Sequence, residues 1–198
     1  MQTKIKIFLK RVLPKWLLYL YYLSQVLRIK IIKRIPTYNE DELMTGHNSD
    51  FKDDEHFKKS YNLAVDLELA VGDKIIYTKL RWRAHVICWA ATHAKNLDGD
   101  FVECGVAKGF FSRIAMEYID FKNLPKIFYL MDTFEGLPEK YLTNKEKEGK
   151  SEPILKWDYG TSFEQVKNTF KDFKNVRIIK GAIPETLPRV ITQKIAYL

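Results

Sequence analysis

Apolar and polar positions along this chain recur with two different periods, and the switch between them outlines its elements. Residues 55–69 place Phe57, Tyr61, Leu63, Ala64 and Leu67 at three-to-four spacing. Residues 74–97 do the same with Leu80, Ala84, Ile87, Cys88, Ala91 and Ala94, so both segments read as helices with one buried stripe. Short apolar runs follow at 101–104, 126–131, 175–180 and 194–198; each has strand length, and the first three end at Gly105, Asp132 and Gly181. Helical spacing returns between them at 110–118 and 161–170, the latter with a capping-box start, Ser162 to Gln165 or Thr161 to Glu164. Strand and helix in alternation predict an α/β fold: a doubly wound parallel sheet with right-handed crossovers, preceded by N-terminal helices. Ligands of such sheets gather beyond the carboxyl ends of the strands, so Glu103 to Gly105, Asp132, and Gly181 with Ala182 are the first places to look for chemistry.

Periodicity also divides the chain. It is lost between 37 and 54, where Asn, Asp, Glu, Gly and Ser cluster around Met44 and predict a linker. This leaves an arm at 1–36 and a domain at 55–198. The formal charge of +8 belongs to the arm: residues 1–34 hold nine Lys and Arg and no acid, while the remainder is nearly balanced. The basic balance therefore gives no reason to expect nucleic acid as a partner of the folded domain. Within the arm, Trp16 to Leu23 is an apolar run of eight residues, well below the roughly 20 that span a bilayer, and no small-residue cleavage site follows it. Two arrangements fit the arm. In one, residues 4–34 lie on an anionic membrane surface; in the other, they pack on the domain or on a second copy as a homodimer. Two cysteines at Cys88 and Cys104, both inside predicted regular elements, form no disulfide framework and fit a reducing, cytoplasmic setting, and Cys104 is expected to be a small buried residue. His47, His56, His85 and His93 are scattered and lack metal-ligand spacing, and those on helices read as structural.

The turn after the first strand is the most informative stretch. Its pattern, Glu103-Cys-Gly-Val-Ala-Lys-Gly109, has two glycines where a dinucleotide fingerprint wants three, and an acid where a phosphate would be repelled. An acid suits a cationic amine instead, and the amides of Val106 to Gly109 can meet a carboxylate. Asp132, at the end of the next strand, can accept hydrogen bonds from the hydroxyls of a ribose. A ligand with an amino-acid end and an adenosine end is S-adenosylmethionine. An ordinary strand-to-helix turn with a chance acid, and a nucleotide-binding domain for NAD, stand as rival readings of the same residues.

Four runs carry a resemblance. Gly99 to Gly109, Tyr129-Leu-Met-Asp-Thr-Phe-Glu-Gly-Leu-Pro138, Ser162 to Lys167, and Ile179-Lys-Gly-Ala-Ile-Pro-Glu-Thr-Leu-Pro188 resemble, in order and spacing, the macrocin (TylF-type) O-methyltransferase family. The resemblance covers about 57–198. It implies a Rossmann-like class I fold and S-adenosylmethionine-dependent methylation of a hydroxyl on a sugar, glycoconjugate or other small molecule. Matched by motif, Glu103, Cys104, Gly105, Val106, Ala107 and Lys108, with Gly109, would hold the methionine end. Asp132 with Thr133, Phe134, Glu135 and Gly136 would hold the ribose and adenine side. Ser162 would approach the cofactor from its helix, Gly181 from the third strand end, and 134–138 with the charged tract after it would form a lid. The family also implies Mg²⁺ held by Asp residues on later strand ends. No such ligands are assigned in this chain, which reads as the cofactor-binding part of a C-terminally truncated domain. The rival from another class is a catalytically inactive, membrane-associated S-adenosylmethionine-binding fragment at the inner membrane face.

Overall fold

The computed structural model describes residues 14, 16–17, 19–20, 22–24, 36–69, 79–136, 138–145 and 163–198. Most of the arm at 4–34, the start of the helix expected from 74, the capping-box residues Thr161 and Ser162, and most of the charged tract at 140–152 lie outside the described residues. The chain divides into two compact units, 1–49 and 50–198.

In the first unit, residues 38–45 of the expected linker form an ordered hairpin. Strand β1 (Tyr38–Glu40) pairs antiparallel with β2 (Leu43–Thr45), with Asn39 opposite Met44. The two turn residues, Asp41 and Glu42, sit at φ 55° and 57°. A two-residue hairpin turn needs this left-handed backbone, and it usually announces itself by Asn-Gly or Asp-Gly. Asp-Glu gives no such signal, which is why polarity alone made the segment look featureless. Side chains support the pairing: Ser49 Oγ donates to the Thr37 carbonyl at 3.0 Å, and the His47 amide donates to Thr45 Oγ1 at 3.1 Å.

The second unit opens on α1 (Glu55–Leu69), capped by Asp54, whose Oδ1 accepts from the Phe57 amide at 2.6 Å. Helix α2 (Arg81–Ala94) buries Ala84, Cys88, Ala91 and Ala94, the stripe read from the sequence. Its histidines serve packing, as expected: His85 stacks on Phe51 with centroids 4.2 Å apart, and His93 Nδ1 lies 2.8 Å from the Trp89 carbonyl.

Then come β3 (Asp100–Cys104), α3 (Phe110–Tyr118), β4 (Phe128–Asp132), α4 (Phe163–Thr169), β5 (Val176–Lys180) and β6 (Ile195–Tyr197). The four strands form one parallel sheet in the order β5-β4-β3-β6. Passing from β3 through α3 to β4, and on through α4 to β5, the chain moves steadily in one direction. Right-handed crossovers therefore set both helices on the same face. The step from β5 to β6 runs back past β4 and β3, which carries 181–194 over the other face. This is the doubly wound, Rossmann-like arrangement, and its winding reverses between β3 and β6.

Burial follows the pleat. Phe101, Phe128 and Leu130 point into the helical layer with Ala115, Met116, Val166 and Phe170, whereas Val102, Tyr129, Met131 and Ile179 point the other way against Ile183 and Val190. Helix α3 is apolar nearly all round because it is covered on both sides: Ala115 and Met116 face the sheet, while Phe110 and Ile114 meet Phe57, Tyr61, Ala84 and Cys88. Its one buried cation, Arg113, lies 2.7 Å from Glu117, stacks over the Phe173 ring and donates to the Thr169 carbonyl, tying α3 to the end of α4.

Candidate functional site

The strand ends converge on a cavity of about 310 Å³. Its wall is built from three successive loops: Gly105 and Ala107 after β3; Asp132, Thr133, Gly136, Pro138 and Tyr141 at and after β4; and Gly181, Ala182 and Ile183 after β5. Met131 of β4 lines it as well. The volume is at the lower end for a site that encloses a small organic ligand.

Asp132 organises the wall. Its Oδ2 accepts from the Ala107 amide at 2.8 Å, and its Oδ1 accepts from the Phe134 amide at 2.9 Å. A carboxylate has about four acceptor positions, so these bonds fix the side chain and leave capacity for hydroxyl donors from a ligand. The same bonds commit loop amides. Ala107 donates to Asp132, Gly105 to the Met131 carbonyl at 2.8 Å and Gly109 to the Val106 carbonyl at 2.8 Å, so the turn is held by β4 and by one bond of its own. Thr133 Oγ1 lies 2.6 Å from the Gly136 carbonyl and shapes the second loop.

Glycine at 109 answers to packing rather than to phosphate. Its φ is 85°, and a Cβ placed there would sit 2.5 Å from Cε2 of Phe170, so the ring of Phe170 rests directly on the turn. At 99, at the other end of β3, a Cβ would meet the Lys194 carbonyl oxygen at 2.7 Å, where β6 joins the sheet.

Glu103 is not among the residues that line the cavity. Its carboxylate accepts from the hydroxyl of buried Ser112, and burial raises its pKa from 4.5 to about 7. The bond from Ser112 opposes that rise, and the charge of Asp132 adds to it. A carboxyl easier to protonate folded than unfolded stabilises the chain most below its unfolded value and loses that contribution as pH climbs to about 7. Relative to Glu103→Gln, the wild-type chain is therefore expected to lose about 1–3 kcal/mol between pH 5 and pH 8. Urea unfolding of both proteins across that range reads the difference, and parallel curves would show that Glu103 titrates normally.

Of the residues expected from the sequence, Gly105, Ala107, Asp132, Thr133, Gly136 and Gly181 come together in the cavity wall. Others lie elsewhere. Val106 and Phe134 are in the core, Phe134 against Phe163 with centroids 5.4 Å apart, and Gly109 lies under Phe170. Glu135 pairs with Lys180. Lys108, half-buried, is absent from the cavity lining. Cys104 corrects the expectation of a buried thiol: it is exposed and lines a neighbouring cavity with Val102, Leu187 and Leu198, because it ends β3 on the face of Val102, opposite the helical layer. Ser162 lies outside the described residues. Pro138 and Tyr141, expected only as parts of a lid, and Ile183, not singled out, also line the wall, since nothing local marks a residue that reaches the wall from a loop.

The described residues supply no ligand set for Mg²⁺: among them, no three His, Cys, Asp or Glu side chains group around a common point. No helix among the described residues is long and apolar enough to cross a membrane.

A parallel sheet whose winding reverses next to β3, with a cavity at the strand ends, defines a Rossmann-like domain. The particular group follows from comparison. The description of the macrocin O-methyltransferase (TylF) family matches residues 35–198, and the chain belongs to that family. No curated protein matches it. The solved structure of the O-methyltransferase NovP aligns at 21% sequence identity with a TM-score of 0.45, over 57% of this chain and 50% of NovP. The chain thus spans about half the length of that relative.

Proposed function

We propose that this chain is the S-adenosylmethionine-binding part of an O-methyltransferase that acts on a hydroxyl of a sugar or other small-molecule acceptor. The observation that carries the reading is Asp132, held by the Ala107 and Phe134 amides at the end of β4, the strand next to β3, in a chain of the TylF family. Its remaining acceptor positions suit the two ribose hydroxyls of an adenosine group. Gly181 and Ala182 have almost no side chain, so a flat base can approach the backbone there, with Ile183 and Tyr141 as apolar walls. Toward the amino-acid end, Glu103 offers an anionic partner for an ammonium, and arrival of that cation would favour its ionised form. The bound cofactor supplies a methyl group on a sulfonium, an electrophile that needs an aligned acceptor oxygen. What this chain contributes to that alignment is a fixed turn and a cavity that sets the direction of the ligand.

Titration calorimetry with S-adenosylhomocysteine and, separately, with NAD tests the reading. Saturable binding of S-adenosylhomocysteine, weakened as pH falls below about 7 and Glu103 protonates, is the expected result. Binding of NAD alone would replace the assignment with that of a dinucleotide-binding domain.

A further inference from the structure

Two charged pairs bracket the cavity, and their order reverses from one side to the other. After β4 the chain carries Glu135 and then Lys140; from the end of β5 it carries Lys180 and then Glu185. Lys180 pairs with Glu135, and Lys140 Nζ lies 2.5 Å from Glu185 Oε1. Between Glu135 and Lys140 are the cavity-lining Gly136 and Pro138; between Lys180 and Glu185 are Gly181, Ala182 and Ile183. The two pairs therefore join the loops just outside the parts that form the wall. Their opposite polarity also sets the register, because a slip of one loop against the other would bring like charges face to face.

Glu185 has a second partner. The hydroxyl of Tyr141 donates to the same carboxylate oxygen, and the Lys140 ammonium lies 4.6 Å from the centroid of the Tyr141 ring. Tyr141 closes a short turn, Glu139–Tyr141, and lines the cavity, while Glu185 does not. Lys140, followed by Tyr141, holds the Glu185 carboxyl well below its usual range, at about 2, so Glu185 is ionised at any physiological pH. Both pairs are largely open to solvent, with side chains 41–69% exposed. Contacts of this kind are individually weak and screened by salt. Weakness suits a contact that must open and close with each ligand exchange.

We propose that Glu185 is a positioning residue: with the Glu135–Lys180 pair it latches the loop after β4 onto the loop after β5, holds Tyr141 in the cavity wall, and gates ligand exchange. The gating rests on the nucleoside-binding reading of this cavity; the latch itself does not. It responds to ionic strength, and both acids must be ionised for it to close.

Two measurements test this. In stopped-flow displacement, S-adenosylhomocysteine is expected to leave wild-type protein about three- to tenfold faster when salt rises from about 0.05 to about 0.5 M. Glu135→Gln combined with Glu185→Gln should leave fast at both salt concentrations, and the reversed pair Lys140→Glu with Glu185→Lys should restore the slow rate at low salt. A purely structural role for these residues would not produce a salt-dependent rate that charge reversal rescues. Equal rates and equal salt dependence in wild type and the double variant would overturn the gate. The second measurement, hydrogen exchange at the amides of 139–141 without ligand, should show faster exchange in Glu185→Gln, and unchanged exchange would overturn the latch. Faster exchange in a protein that binds no S-adenosylhomocysteine would keep the latch and overturn the nucleoside reading.

Discussion

Asp132→Ala is expected to weaken S-adenosylhomocysteine binding by about 30- to 100-fold, the largest loss from any single side chain in the cavity. A hydrogen bond to a charged group contributes about 1.5–3 kcal/mol, and the substitution removes the acceptor for a ligand diol. It also orphans the Ala107 and Phe134 amides, which now donate to the two carboxylate oxygens. The turn after β3 and the loop after β4 would both loosen, so the thermal midpoint should fall as well. Asp132→Asn separates the two effects. An amide side chain keeps one oxygen for one loop amide, but it turns its NH₂ toward the other. Calorimetry gives the affinity and thermal unfolding gives the stability; an unchanged affinity in a destabilised Asp132→Ala protein would place the ligand away from Asp132.

Gly109→Ala is expected to destabilise the domain by about 3 kcal/mol, enough to lower the thermal midpoint by about 6–12 °C. Two causes add. The backbone at φ 85° costs an L-residue about 1–2 kcal/mol, and the new methyl group would lie 2.5 Å from Cε2 and 2.8 Å from Cζ of Phe170. Phe170 is 2% exposed, held in the core just past the end of α4, and cannot swing outward without opening a void. The steric share should shrink when Phe170 is replaced by leucine. Additive losses in the double variant would show that the backbone alone makes position 109 intolerant. Because this turn also positions Ala107, the same substitution should loosen the Asp132 cavity.

Much of the fold was legible because its determinants are local. Residues 55–69 and 110–118 repeat apolar side chains at helical spacing, and 101–104, 126–131 and 175–180 are short apolar runs closed by Gly or Asp. These patterns follow from backbone geometry and need no knowledge of neighbours. The hairpin at 38–45 was hidden because its turn uses Asp41 and Glu42 at positive φ without the glycine that would mark it. Cys104 was misjudged because an alternating pattern names the face of a strand, not where the cover over that face stops.

The candidate site was legible only as positions at strand ends. Asp132 and Gly181 were found because parallel sheets present their ligands there. The bond from Ala107 to Asp132 crosses 25 residues of sequence, and the one from Tyr141 to Glu185 crosses 44. Neither separation carries a periodic signal. The bond from Ser112 to Glu103 also depends on how α3 settles against β3.

By itself, then, the sequence determined the elements, the parallel doubly wound class, and the two acids and paired glycines that direct a search toward an amino-acid nucleoside. Those follow from hydrophobic period, chain direction and the conformational range of glycine, all properties of short stretches. Only the tertiary structure decided which strand ends adjoin, that Gly109 exists to admit Phe170, and that Glu135, Lys140, Lys180 and Glu185 meet across the cavity. The physical reason is that contacts between loops are set by the order of strands in the sheet, and that order is a long-range balance of packing which no local pattern records.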